Sequence, residues 1–188
     1  MNIEYQLSGD AGRVAIENGT ANPKWFRPNV DPHDIRNLMQ KSDAIAIRDT
    51  AIWLGMMIVS AGCAVALWPS VWSVPFWLVY GVLYGSAADS RWHECGHKTA
   101  FKTTWMNNAV YQLASFMIML NPAIWQASHV RHHTDTILVG RDPEIVAMRP
   151  PDLARIALAF VGVVDVYIAF KRMILHASGR IDPEEATY

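Results

Sequence analysis

Residues 51–88 read AIWLGMMIVSAGCAVALWPSVWSVPFWLVYGVLYGSAA and contain no Asp, Glu, Lys or Arg. A run that long is too apolar for the core of an ordinary soluble domain in a chain of 188 residues. It is also too long for one membrane span, since a helix needs about 20 apolar residues to cross the hydrocarbon core. Trp68-Pro69-Ser70 supplies a break, because proline ends helices and tryptophan favours the membrane interface. The pattern predicts a transmembrane helical hairpin with spans at about 50–68 and 73–92, Pro75 being tolerated in the first turn of the second. Gly81 and Gly85 form a G-x-x-x-G pair that lets another helix approach, or are incidental.

Outward from the hairpin, residues 1–49 form a polar N-terminal arm in which Pro23, Pro28 and Pro32 break any long helix. A short helix is expected from Asp34 to Arg48. The acidic start of the arm, with Glu4, Asp10 and Glu17, is unlike a cleavable signal peptide. Arg13, Lys24, Arg27, Arg36, Lys41 and Arg48 precede the hairpin, and Arg91, Lys98 and Lys102 follow it. The connection at 69–74 holds no basic residue, so the positive-inside rule places both ends in the cytoplasm. Residues 50–188 are read as a membrane domain. The net charge of −1 argues against a nucleic-acid binder. Cys63 and Cys95 do not suggest a disulfide framework.

Two later stretches are apolar but weaker. Residues 103–128 contain Asn107, Asn108, Gln112, Asn121 and Pro122. Ile156–Phe170, broken only by Asp165, is either an interfacial helix or a span from about Leu153 to Leu175.

Five of the seven histidines fall between His93 and His133, in two tight groups. The first is His93-Glu94-Cys95-Gly96-His97; the second is His129-Val130-Arg131-His132-His133. On a helix, residues four apart share a face, so His93 and His97 can both ligate one metal, or one each of two adjacent metals, and His129 matches His132 at i+3 and His133 at i+4. His132 and His133 point about 100° apart, which suits two metals better than one. Imidazole alone does not name the metal. If both groups serve one centre they must lie on one side of the bilayer, so 105–124 is expected not to span. Glu94, Thr134, Asp135 and Asp142 are candidate polar supports for the histidines, or solvated residues. His33 and His176 stand alone in the sequence and carry no ligand assignment.

At these residues the sequence resembles the membrane fatty acid desaturase family. The matches are His93-Glu94-Cys95-Gly96-His97-Lys98, the passage from Trp125 to Thr134, and the hairpin before the first box. The continuation Thr134-Asp135-Thr136, then Gly140-Arg141-Asp142-Pro143-Glu144, resembles a bacterial branch with hydrocarbon oxygenases. The resemblance implies an all-α integral membrane protein whose histidine boxes sit on cytoplasmic or interfacial helices, in a bacterial inner membrane. It implies two non-haem iron ions, with His93, His97, His129, His132 and His133 as ligands, and O2 as co-substrate. The implied reaction is desaturation or hydroxylation of a fatty acyl or other lipid-like chain. Ferredoxin, rubredoxin or a cytochrome b5-like protein would deliver electrons. The family's third histidine box is absent, so an incomplete desaturase-like fold is expected, as in an N-terminal fragment.

Two other readings remain open. His93-Glu94-Cys95-Gly96-His97 also fits the H-E-x-x-H pattern of membrane zinc metalloproteases, with Asp165 as a weak third ligand. The chain could also be a catalytically inert truncated membrane segment.

Overall fold

The computed structural model describes residues 5–21, 24, 26–145 and 149–187; Glu4 and Pro23 lie outside them. Every regular element among the described residues is helical: α1 (Asp10–Glu17), α2 (Pro32–Leu38), α3 (Asp43–Ala66), α4 (Val74–Ser86), α5 (Trp92–Gly96), α6 (Thr104–Met117), α7 (Pro122–Asp135), α8 (Leu153–Val161) and α9 (Val163–Ala177). They fall into two compact units, one of residues 29–118 and one of residues 1–28 with 119–188.

In the unit of residues 29–118, α3 and α4 pack together as a helical hairpin. α3 has 24 residues, which at 1.5 Å each gives about 36 Å, enough for a hydrocarbon core of about 30 Å. It belongs to Pro32–Ala66, a stretch long and apolar enough to cross a membrane; among the described residues the bent pair Leu153–Ala159 and Val163–Ala177 passes the same test when taken as one span. The expected break falls where Pro69 stands. Leu67 caps α3, a 3-10 turn covers Val71–Ser73, and Pro75 sits in the first turn of α4. Trp68 and Trp72 at this tip are exposed. The Trp53 indole donates to the Leu83 carbonyl at 2.8 Å, pinning the two helices.

The expected helix from Asp34 to Arg48 is corrected. α2 ends at Leu38 and α3 begins at Asp43. Tertiary bonds account for the new start: the Asp43 carboxylate accepts from Thr103 N at 2.9 Å and from Thr103 Oγ1 at 2.6 Å. An acidic group also suits the positive end of a helix dipole.

α4 runs into a π-helical turn, Ala87–Arg91, before α5. α5 packs on α6, where the Trp92 indole donates to Ser115 Oγ at 3.0 Å. α6 has 14 residues and ends before Met119 takes a φ of 56°.

In the other unit, α7 begins cleanly because Asn121 caps it and Pro122 opens it. The Asn121 side chain accepts from Ala123 N at 3.0 Å and Ile124 N at 3.3 Å. The stretch expected to be an interfacial helix or a span from about Leu153 to Leu175 is bent in the middle. α8 and α9 meet at 79°, with Gly162 at a left-handed φ of 71° between them. Glycine adopts that conformation without the Cβ clash other residues incur. His176 is not isolated: Nε2 lies 2.8 Å from the Glu185 carboxylate, which Arg172 approaches at 3.8 Å.

Candidate functional site

The first histidine group rides on α5 in the unit of residues 29–118. Trp92 and Cys95 are buried and turn one face of this short helix inward. That leaves His93 and His97 on another face, with Nε2 atoms 3.2 Å apart and ring centroids 4.9 Å apart. Burial, then the neighbouring Glu94 carboxylate, pushes the Cys95 thiol from its ordinary 9.0 up to about 11, so it stays protonated at neutral pH. On α6, burial pushes the Tyr111 phenol up to about 12 despite its bond with Ser115.

The loop after the box is tied down by side chains. Buried Asn107 accepts from Phe101 N at 3.0 Å and donates to Phe101 O at 2.8 Å. Lys41 Nζ donates to Lys98 O at 2.7 Å, next to the left-handed Lys98 (φ 59°) that ends the helical path.

The second group rides on α7, in the other unit. His129 is buried, with Trp125 stacked on its ring at 4.3 Å between centroids and 18° between planes. His129 Nδ1 lies 2.8 Å from Glu144 Oε2, whose other oxygen accepts from Ser128 Oγ at 3.0 Å. His132 Nδ1 lies 2.9 Å and 3.0 Å from the two oxygens of Asp142. Asp142 is itself buried and also accepts from Ile137 N and Glu144 N, each at 2.8 Å.

These contacts fix the tautomer. An ionised carboxylate can only accept, so in the neutral ring Nδ1 carries the proton and the lone pair falls on Nε2. The His129 and His133 Nε2 atoms are 3.1 Å apart.

This donor set suits a metal. Two nitrogens 3.1 or 3.2 Å apart, each about 2.1 Å from one ion, subtend about 95–100° at it. That is close to the right angle between neighbouring ligands of a six-coordinate ion. Carboxylates behind ligand imidazoles are the usual way such rings are oriented and made more basic.

The other expected residues stand differently. Asp142 is where a support is needed. Glu94 is exposed. Thr134 Oγ1 donates to the Val130 carbonyl at 3.1 Å. Asp135 is buried against Arg141, at 3.0 Å, and Arg131, at 3.9 Å. Sequence reasoning missed Glu144 as a support. The signal was present: Asp142 and Glu144 lie 10 and 15 residues beyond the histidines they hold, in one tight acidic turn.

Comparison with known proteins agrees with these motifs. The fatty acid desaturase family model matches residues 66–182, well over half the chain. The chain is 30% identical over 124 residues to the bifunctional fatty acid conjugase/Delta(12)-oleate desaturase of Punica granatum, covering 64% of this chain and 31% of that protein. It is 27% identical over 151 residues to the omega-6 fatty acid desaturase, endoplasmic reticulum isozyme 1, of Glycine max, covering 79% and 38%. Over 67 residues it is 31% identical to the sn-1 acyl-lipid omega-3 desaturase (ferredoxin) of Nostoc sp. (strain 36), covering 36% and 18%. The chain spans about a third of the length of the two plant relatives. No solved structure matches.

Proposed function

The chain belongs to the fatty acid desaturase family, and on that premise we propose that it contributes two histidine boxes to an O2-dependent non-haem iron oxidoreductase. The substrate class is a fatty acyl or other lipid-like chain, and the reaction desaturation, with hydroxylation as the variant outcome of the same chemistry. His93, His97, His129, His132 and His133 are the ligands it offers to a di-iron centre.

The observation that carries this reading is the pair of Nδ1–carboxylate bonds, His129 to Glu144 and His132 to Asp142. In the neutral rings they place the lone pair on Nε2, the atom a metal ion would take. When bound, iron supplies O2 activation and the abstraction of hydrogen from an unactivated C–H bond. The chain's own groups hold the rings. Glu144 and Asp142 keep the Nδ1 protons in place and raise the basicity of Nε2. Trp125 covers one face of the His129 ring and excludes water from it.

The membrane reading rests on α3 and α4. Ile58, Val59, Val65, Leu78 and Val82 are each more than 60% exposed, a surface that suits acyl chains and not water. We place this hairpin in the bilayer of a bacterial inner membrane, with the polar arm of residues 1–49 and the boxes of the domain of residues 50–188 on the cytoplasmic side. A ferredoxin, a rubredoxin or a cytochrome b5-like protein would deliver electrons there.

Anaerobic Fe2+ reconstitution of the full chain in detergent tests the proposal. Iron is expected to bind the parent chain and to be lost in His97→Ala and His129→Ala. A single zinc retained after His132→Ala and His133→Ala would overturn it in favour of the H-E-x-x-H protease reading. No metal uptake at all would favour the inert segment.

A further inference from the structure

α1 buries a single residue, Gly12. The burial is backbone against backbone. A Cβ on Gly12 would lie 2.6 Å from the Gly140 carbonyl oxygen and 3.3 Å from Arg141 Cγ. A Cβ on Gly140 would lie 2.6 Å from Gly12 N and 3.1 Å from Ala11 Cβ, and Gly140 holds a left-handed φ of +76°. Neither position admits a side chain without movement of main chain.

Gly140 sits in a tight turn in which Arg141 N and Asp142 N both donate to the Leu138 carbonyl, at 3.0 Å and 2.9 Å. Two residues on is Asp142, which holds His132, Ile137 N and Glu144 N together. A second tie binds the same two segments further along: Arg149 N donates to the Tyr5 hydroxyl at 2.9 Å. The ion pairs of Arg13 stay within α1, with Asp10 and Glu17, so they do not account for the docking.

We propose that α1 is a strap holding the carboxylate turn in register, which makes Gly12 and Gly140 positioning residues that act on His132 and His129 through Asp142 and Glu144. The metal half of this statement rests on the reading of those histidines as iron ligands. Misdirected supporting carboxylates typically cost about 10–100-fold in metal affinity.

Gly12→Ala is the informative variant, because alanine is a better helix former than glycine. If α1 mattered only as a helix, the change would strengthen it; if α1 is a strap, the new Cβ lifts it off Gly140. The 188-residue chain in detergent is compared with Gly12→Ala and with Ile16→Ser, which alters an exposed position on the same helix. Amide hydrogen exchange of the metal-free chain reads the turn directly. Co2+ titration, followed by its visible absorption, reads the rings.

In Gly12→Ala, the Ile137 and Glu144 amides are expected to exchange at least tenfold faster and Co2+ to bind about tenfold more weakly. The α3–α4 amides should not change, and Ile16→Ser should match the parent. Parent-like exchange in Gly12→Ala would overturn the strap, as would acceleration spread equally over the α3–α4 hairpin. If the parent takes up no Co2+, the iron-ligand reading fails, while the exchange rates still decide the strap.

Discussion

The two histidine boxes carry similar spacing yet are held in different ways. The second is braced from behind by charge: Glu144 and Asp142 reach His129 and His132 from a turn in the same unit. Around the first, the described residues show packing and loop ties. Trp92 and Cys95 key α5 into its surroundings, and Asn107, Asp43 and Lys41 fasten the loop that follows. A carboxylate brace sets tautomer and basicity as well as position, whereas the packing of Trp92 and Cys95 sets position. Changes to Asp142 or Glu144 should therefore alter metal affinity more than stability, and changes to Trp92 or Asn107 the reverse.

The largest expected effect tests the brace. Asp142→Asn and Glu144→Gln should each weaken Fe2+ or Co2+ binding about 10–100-fold by titration calorimetry. Asp142→Asn should be the more severe, because Asp142 also holds two backbone amides. If both variants bind metal like the parent, the charge side of the contrast fails.

Next comes the packing side. Asn107→Ala strands the Phe101 amide and carbonyl, so it should cost about 1–3 kcal/mol in chemical denaturation. Trp92→Phe removes the bond to Ser115 and trims a buried ring, so it should cost at least about 1 kcal/mol. Ser115→Ala should cost less in the Trp92→Phe background than in the parent, since only its bond with Tyr111 is then left to lose, and equal costs in both would break the pairing. A tenfold loss of metal affinity in Trp92→Phe, with stability intact, would erase the distinction between the boxes.

The smallest effect is in pH. The Cys95 thiol is raised in the folded chain, so its contribution to stability is complete below pH 9 and is lost as pH rises toward 11. Denaturation midpoints should fall across that window, and less so in Cys95→Ala. Alkylation of Cys95 in the folded chain should be negligible at pH 8.

Much of this was legible in the sequence because it is local. Pro69 and Pro75 mark the hairpin turn, Asn121-Pro122 marks the start of α7, and four-residue spacing aligns each pair of histidines. The break between Leu38 and Asp43 was not legible, because what sets the start of α3 is Thr103, sixty residues away. The bend at Gly162 had its signal in the glycine, but apolar character ran unbroken across it and read as one segment. Asp142 was picked out with Glu94, Thr134 and Asp135, and composition could not rank the four. The fold ranks them by whether a turn can carry the carboxylate back to a ring. The same turn brings in Glu144, which spacing alone did not flag.

Trp125 gives the second box a further property. Its indole lies almost parallel to the His129 ring at 4.3 Å, within the range of contact quenching. An open-shell ion on that imidazole would therefore darken one particular tryptophan of the eight. The loading state of this box is thus written into the protein's own near-ultraviolet emission, where Trp125→Phe supplies the blank and no added dye is needed.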